Sequence, residues 1–185
     1  MKTNQTLDAK GLACPMPIVK TKKAMGELEE GQVLEVLATD KGSKADIKAW
    51  ADRTGHQYLG TVEEGDVLKH YLRKASESED AETQHPHVVD LEGLKAKLNG
   101  DVQVVDVREP AEYAFGHIPN AVSVPLDEID TADQKLDKSK ETYIICRTGT
   151  RSDLAAQKLT EMGFENVFNV VPGMKEWAGD VNKDA

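Results

Sequence analysis

The chain of 185 residues contains two cysteines, and each stands at the predicted start of a helix. Cys14 opens the sequence Cys-Pro-Met-Pro, and Cys146 opens the sequence Cys-Arg-Thr-Gly-Thr-Arg. A thiol at a helix N-terminus faces unpaired backbone N–H groups and the positive end of the helix dipole, and both favour the thiolate. Two such thiols predict chemistry in which one sulfur passes a group to the other.

The segment after Cys146 has the composition of an anion-binding loop. An apolar strand precedes the cysteine, and Gly149 lets the backbone curl so that successive N–H groups point inward. Arg147 and Arg151 add fixed positive charge to this cradle. Cysteine phosphatases place an arginine six positions after the nucleophile to grip phosphate, whereas Ser152 holds that position here. The loop is therefore predicted to bind a sulfur atom rather than a phosphate group.

Composition sets the outer limits of function. Hydrophobic residues make up 39% of the chain and charged residues 30%, which is typical of a soluble globular protein. No apolar run is long enough to span a membrane, and the polar N-terminus is unlike a signal peptide, so we expect a cytoplasmic protein. Two cysteines without a Cys-x-x-Cys pair predict no disulfide framework and no metal or other cofactor. The net charge of −10 argues against nucleic-acid binding.

One acidic stretch divides the chain. Residues 76–84 contain a single alanine as their only apolar residue, and Pro86 follows shortly after. Such a segment buries too little surface to order itself, so residues 76–86 are predicted to be a flexible acidic linker. The chain then consists of a domain at 1–75 and a second domain at 87–185, each of a plausible size for a small domain.

The two halves predict different α/β folds. The first half has the order βαβαββ, with helices over Pro15–Glu29 and Lys44–Arg53, which suits a two-layer sandwich with both helices on one face of the sheet. The second half alternates strands with helical segments, including Leu126–Gln134 and Ser152–Met162, which predicts a parallel sheet covered on both faces. Ligands bind such sheets at the carboxyl ends of the strands, where Cys146 is predicted to lie.

Three motifs in the second half resemble the rhodanese family, over residues 87–178. They are the segments Asp106–Tyr113, Gly116–Ala121 and Cys146–Arg151, in that family's order and spacing. In rhodaneses the loop cysteine accepts a sulfane sulfur and holds it as a persulfide. The resemblance therefore implies that Cys146 is the catalytic nucleophile of a sulfurtransferase.

The same resemblance implies roles for the residues around the cysteine. The active-site loop that would bind substrate through its backbone amides consists of Arg147, Thr148, Gly149, Thr150 and Arg151. Asp106 and Arg108 would order the site from a neighbouring strand, or form a purely structural ion pair. His117 is expected to be a hydrogen-bonded turn residue rather than a base.

The first half resembles the TusA-type sulfur carriers, over residues 4–75. The resemblance rests on the segment Leu7–Pro17, which contains the Cys-Pro-x-Pro motif, and on the βαβαββ order. It implies that Cys14 is a carrier thiol that takes and gives sulfur as a persulfide. Asp40 and Asp46 recur in this setting and are interpreted as helix caps or solvated charges.

Together these features predict a two-domain sulfur-transfer protein. Cys146 would take sulfur from thiosulfate or a low-molecular-weight persulfide and exchange it with Cys14, which would serve other sulfur-relay proteins. Two alternatives remain open from the sequence. One is a redox switch through a Cys14–Cys146 disulfide, and the other is a regulatory or binding module with an inert rhodanese fold.

Overall fold

The computed structural model describes residues 1–75 and 84–185, and residues 76–83 lie outside the described part. The chain divides into two compact units at this segment. Within the described ranges, no helix combines the length and the apolar character that a membrane span requires.

The first unit has the predicted βαβαββ order. Its elements are β1 (Gln5–Ala9), α1 (Met16–Glu27), β2 (Val33–Ala38), α2 (Ser43–Thr54), β3 (Gln57–Glu64) and β4 (Val67–Arg73). The strands form one sheet in the order β1-β2-β4-β3. β1 and β2 are parallel, whereas β4 runs antiparallel to both of its neighbours. The mixed sheet follows from the connections, because β1 reaches β2 through a helix and β3 reaches β4 through a tight turn.

Both helices of this unit bury one face on the same side of the sheet, as the sequence predicted. α1 contributes Ala24 and Met25 to the core, and α2 contributes Ile47 and Trp50. α2 ends at Gly55, whose φ of 82° is a left-handed conformation that glycine adopts without a steric penalty. The apolar stripe of each helix is therefore the feature that fixes the two-layer arrangement.

A buried imidazole connects three elements of the first unit. His70 on β4 is fully buried, with Nε2 2.9 Å from Ser43 Oγ and Nδ1 2.7 Å from Thr61 Oγ1. Because the Ser43 hydroxyl donates to the Asp40 carbonyl at 2.6 Å, the ring N–H belongs at Nε2 and donates to Ser43 Oγ. Burial, with the nearby charge of Lys44, lowers the pKa of His70 to about 4, so the ring is neutral at pH 7.

The second unit is built on a five-stranded parallel sheet in the order β5-β9-β8-β6-β7. Its strands are β5 (Val88–Val89), β6 (Val102–Asp106), β7 (Val122–Ser123), β8 (Glu141–Ile145) and β9 (Asn166–Val170). Its α-helices are α3 (Leu91–Lys97), α4 (Pro110–Ala114) and α5 (Thr150–Glu161), and 3-10 helices span Leu126–Gln134 and Met174–Glu176. The element order confirms the predicted alternation of strands and helical segments.

Alternate residues of the central strands face two separate cores. Val105 and Ile144 pack with α5 residues such as Leu159, whereas the adjacent Val104 and Ile145 lie in a second core with Leu94 of α3. Successive side chains of a strand point to opposite faces, so the continuous apolar runs of β6 and β8 serve both cores. The predicted cover of helices on both faces is therefore confirmed.

The residues placed at the end of the linker pack against the second unit. The backbone N–H groups of Gln84 and His85 donate to Asp153 Oδ1 at 2.9 and 2.7 Å, and the buried His85 ring lies 2.8 Å from the Val167 carbonyl oxygen through Nε2. The prediction of a flexible linker over 76–86 therefore places its C-terminal boundary too late, because Gln84 and His85 are held by the second unit. Its other residues, 76–83, lie outside the described residues.

Candidate active site

Cys146 lies immediately after β8, at the carboxyl edge of the parallel sheet, where the sequence predicted it. Its side chain is fully buried, and Sγ accepts a hydrogen bond from the Gly149 backbone N–H at 3.1 Å. Gly149 has φ 107°, and a Cβ at this residue would lie 2.7 Å from Val171 Cγ1. The loop therefore needs glycine here both for its curl and for the close approach of Val171.

A second segment supports the loop from outside. The Met174 and Lys175 backbone N–H groups donate to the carbonyl oxygens of Cys146 and Arg147, at 2.8 and 3.0 Å. A Cβ on Gly173 would lie 2.5 Å from the Cys146 carbonyl oxygen, closer than real Cβ atoms come. The chain at 173–175 thus packs backbone to backbone against the loop and holds its carbonyl groups outward.

Two buried polar side chains that the sequence analysis did not assign to the site complete the surroundings of the sulfur. The Cys146 thiol donates to Ser152 Oγ at 3.3 Å, and the Ser152 hydroxyl donates to Asn169 Oδ1 at 2.5 Å. Asn169 Nδ2 in turn donates to the Gly149 carbonyl oxygen at 3.1 Å. Asn169 is fully buried. The one sign of its role in the sequence is that an amide side chain stands in an otherwise apolar strand, where it needs a hydrogen-bond partner.

Arg151 is the last residue of the loop and lies in the first turn of α5, where a carboxylate balances its charge. Its guanidinium forms a two-point ion pair with Glu112, with Nη1 2.7 Å from Oε1 and Nη2 3.2 Å from Oε2. The Glu112 side chain is completely buried, and that of Arg151 is 14% exposed. The sequence predicted fixed positive charge from Arg151, and the structure adds a carboxylate that neutralises it.

Arg147, Thr148 and Thr150 lie in the same loop and are half-buried. The five residues predicted to bind substrate therefore stand together around the cysteine, and Thr150 and Arg151 form the first turn of α5. α5 begins two residues earlier than the predicted Ser152, because the loop runs directly from the left-handed Gly149 into the helix.

Asp106 and Arg108 form the ion pair that the sequence offered as one of two possibilities. Both groups are buried, and the Arg108 guanidinium contacts the two carboxylate oxygens at 2.7–3.1 Å. Arg108 Nη2 also donates to the Gly116 carbonyl oxygen at 2.7 Å. Burial acts to lower the pKa of Arg108, but the charge and hydrogen bonds of Asp106 raise it overall, so the guanidinium stays charged. The Asp106–Arg108 pair fastens the end of β6 to the turn after α4.

His117 is a hydrogen-bonded turn residue, as the sequence analysis expected. Its ring stacks on Tyr113 with centroids 3.7 Å apart, and Nδ1 lies 2.8 Å from the Tyr113 carbonyl oxygen. Its backbone pairs with Asn182. These contacts fix the turn and leave the ring engaged as a packing group.

Cys14 lies in the first unit, two residues before α1, and is exposed. A hydrogen bond to the Asp46 carboxylate, together with the charges of Asp46 and Asp40, raises the pKa of the Cys14 thiol. The expectation that the helix N-terminus makes this thiol acidic is therefore wrong, because two carboxylates act against the dipole. Asp46, interpreted from the sequence as a cap or solvated charge, is a partner of the thiol.

The surroundings of Cys14 are otherwise open. Met16 and Val19 on the first turns of α1 are large apolar side chains exposed to solvent, by 42% and 52%. Lys20, Lys22 and Lys23 are also exposed and form a solvated face of the helix. In the part of the chain that the structure describes, no group of three or more His, Cys, Asp and Glu side chains is arranged to hold a metal ion.

A curled loop that holds a cysteine at the carboxyl edge of this parallel sheet defines the class of rhodanese-like domains. The family model described as the rhodanese-like domain matches residues 90–180, and that described as sulfurtransferase TusA matches residues 5–74. "Putative sulfur carrier protein YrkF" of Bacillus subtilis (strain 168) is 50% identical over 97% of this chain and 98% of its own length. The chain belongs to this family of sulfur carrier proteins, in which a TusA domain and a rhodanese-like domain share one chain.

Matches to each half agree with this assignment. The sulfur carrier protein TusA of Allochromatium vinosum is 47% identical over 40% of this chain and 95% of its own length. The crystal structure of a rhodanese-like domain protein from Staphylococcus aureus is 33% identical, with a TM-score of 0.50, and covers 54% of this chain and 99% of that protein. Sulfur-carrier and sulfurtransferase function is therefore established at the level of the family.

Proposed function

We propose that the protein is a sulfurtransferase in which Cys146 accepts a sulfane sulfur and exchanges it with Cys14. The observation that carries this proposal is the enclosure of Cys146 Sγ by the curled loop, with the Gly149 N–H directed at the sulfur. Backbone N–H groups in such a loop stabilise the negative charge of a persulfide without any metal or organic cofactor. Asp106 and Arg108 order the end of the neighbouring strand β6.

The loading step is a displacement at sulfur. The Cys146 thiolate attacks the outer sulfur of thiosulfate, the new sulfur–sulfur bond forms as the old one breaks, and sulfite leaves with the bonding electron pair. A low-molecular-weight persulfide would react in the same way and release its thiolate. An anionic donor would be held by the backbone amides of residues 147–151, whereas Arg151 is engaged by Glu112.

The exchange step repeats this chemistry between the two cysteines. The Cys14 sulfur attacks the outer sulfur of the Cys146 persulfide, and Cys146 leaves as the thiolate. Asp46 accepts the hydrogen bond of the Cys14 thiol and favours the thiol form, and the Cys14 proton passes to solvent as the attack begins. The exposure of Cys14 beside Met16 and Val19 suits delivery to, or collection from, other sulfur-relay proteins, in the cytoplasm.

Intact-mass measurement after treatment with a donor tests the proposal. Thiosulfate or a small persulfide should add one sulfur, about 32 Da, to Cys146 and to Cys14. In Cys146→Ser, thiosulfate should no longer load Cys14, because the first unit lacks the anion-binding loop. A mass loss of about 2 Da, with no added sulfur, would instead indicate the disulfide switch. An unmodified wild-type chain would leave the inert module as the remaining interpretation.

A further inference from the structure

The Cys146 sulfur belongs to a closed ring of four hydrogen bonds. The ring runs from Sγ to Ser152 Oγ, from the Ser152 hydroxyl to Asn169 Oδ1, from Asn169 Nδ2 to the Gly149 carbonyl oxygen, and from the Gly149 N–H back to Sγ. All four residues are buried. Ser152 lies on α5 and Asn169 on β9, so the ring ties the loop to two elements outside it.

The hydrogens in this ring can be assigned without ambiguity. A serine hydroxyl has one hydrogen, and Asn169 Oδ1 takes it at 2.5 Å. The Ser152 oxygen therefore presents a lone pair to Cys146, which accepts the thiol hydrogen. Asn169 keeps this orientation because its amide nitrogen is already engaged by the Gly149 carbonyl oxygen.

Loss of the thiol hydrogen changes the demands on the ring. Once Cys146 is a thiolate or carries an outer sulfur, Sγ has no hydrogen to donate, and two lone pairs face each other across 3.3 Å. In the thiolate state, rotation of the Ser152 hydroxyl turns its hydrogen from Asn169 to Sγ, and the hydrogen bond to this charged acceptor outweighs the neutral hydrogen bond to Asn169 Oδ1 that is lost. The same side chain thus serves the sulfur as acceptor while Cys146 is a thiol and as donor while it is a thiolate.

We propose that Ser152 and Asn169 are positioning residues for sulfur loading: Asn169 holds the Ser152 hydroxyl and the Gly149 peptide in register with Cys146 Sγ. This inference rests on the proposed function of Cys146. Neither residue lies in the segment from Arg147 to Arg151 that is expected to meet the donor. Their removal should therefore slow the chemical step and leave recognition of the donor intact.

The test is single-turnover loading of the full-length chain by thiosulfate, followed by intact mass over a range of concentrations. Ser152→Ala should lower the maximal loading rate about tenfold or more, the usual effect of losing a hydrogen bond to a charged group. The thiosulfate concentration at half-maximal rate should change less than about twofold, because donor binding uses other groups. Asn169→Ala should lower the maximal rate at least as much, because it also releases the Gly149 carbonyl oxygen.

The double variant and a packing control decide between positioning and general destabilisation. Because Ser152 and Asn169 belong to one ring of hydrogen bonds, the loss in the double variant Ser152→Ala with Asn169→Ala should be clearly smaller than the product of the two single losses. Val167→Ala, which removes a buried apolar group from the same strand, should load at the wild-type rate while folded. If Asn169→Ala does not fold, Ser152→Ala, which removes a single oxygen atom, still gives the deciding measurement.

Several results would overturn the inference. They are an unchanged maximal rate in Ser152→Ala, a strictly multiplicative effect in the double variant, and an equal slowing in Val167→Ala. A wild-type chain that neither thiosulfate nor a small persulfide loads would instead refute the proposed function itself. The two failures are distinguishable because only the second involves the wild-type protein.

Discussion

Replacement of Arg151 by alanine separates two explanations of this residue. A charge that attracts anionic donors would affect their binding, whereas a partner for Glu112 would affect folding. The structure favours an effect on folding, because the Glu112 carboxylate is completely buried and accepts two hydrogen bonds from Arg151. Nη1 lies 2.7 Å from Oε1, and Nη2 lies 3.2 Å from Oε2. We therefore expect Arg151→Ala to destabilise the second unit.

The size of the effect follows from the burial of the pair. Breaking a buried ion pair by removing one partner costs about 3–5 kcal/mol, because the other charge is left without compensation. The Arg151 side chain is 14% exposed, so water reaches the vacated space and the lower end, about 3 kcal/mol, applies. For a domain of this size that loss lowers the melting temperature by roughly 10 °C or more.

Unfolding in urea, followed by fluorescence, measures this loss in the second unit alone. The chain has two tryptophans, Trp50 in the first unit and Trp177 in the second, so a Trp50→Phe background leaves Trp177 as the reporter. As a control, Lys140→Ala breaks the solvent-exposed pair with Asp101 and should change stability by less than about 1 kcal/mol.

A double substitution checks the cause of the loss. Arg151→Met combined with Glu112→Leu removes both charges and keeps the volume, so it should recover most of the stability that Arg151→Ala loses. The reasoning is refuted if Arg151→Ala unfolds within about 1 kcal/mol of the parent and raises the half-saturating thiosulfate concentration tenfold or more. Arg151 would then act on the donor, as the sequence alone predicted.

Three further predictions concern Asp46, His70 and Gly173. Asp46→Asn should bring the pKa of Cys14 down towards its ordinary value, so alkylation of Cys14 by iodoacetamide at pH 7.5 should speed up; an unchanged rate would show that Asp46 does not hold the thiol proton. The native-state pKa of His70, about 4, lies below the unfolded value, so the first unit should lose about 3 kcal/mol of stability as pH falls from about 6.5 to 4. His70→Gln should flatten that pH dependence in urea titrations followed through Trp50, and a slope equal to that of the wild type would contradict the assignment. Gly173→Ala should displace the Cys146 carbonyl and reduce sulfur loading severalfold or more, whereas Gly100→Ala, at a surface turn, should load normally; equal loading in both variants would mean that the support is dispensable.

Local patterns in the sequence are sufficient for most of the fold. The apolar runs of β6 and β8 and the stripes of α1 and α2 specify their elements because period and burial are properties of neighbouring residues. The 3-10 helix at Leu126–Gln134 shares its spacing signal with an α-helix, so its type could not be predicted from the pattern. Similarly, His85 is held in place by a hydrogen bond to Asp153, which lies far along the chain. The polar residues around His85 give no sign of this contact in the sequence.

The site was predictable only in its local part. Cys146 and Gly149 predict the loop, because the reactivity of the thiol and the backbone freedom of glycine depend on residues close in sequence. The partners that tune the site, Glu112, Asn169 and Asp46, come from other elements, and no spacing rule connects them to the cysteines. Their charge and hydrogen-bonding effects depend on distances that only folding sets, which is why the expected acidity of Cys14 was wrong.

The contrast between a buried Cys146 and an exposed Cys14 has a consequence for resistance to oxidative damage. Peroxides attack thiolates that they can reach, and oxidation beyond sulfenic acid is generally irreversible. Cys14 is the exposed one of the two, and the Asp46 and Asp40 carboxylates raise its pKa and so favour the less reactive thiol form. The carboxylates beside Cys14 should therefore slow the oxidation of this exposed sulfur by hydrogen peroxide.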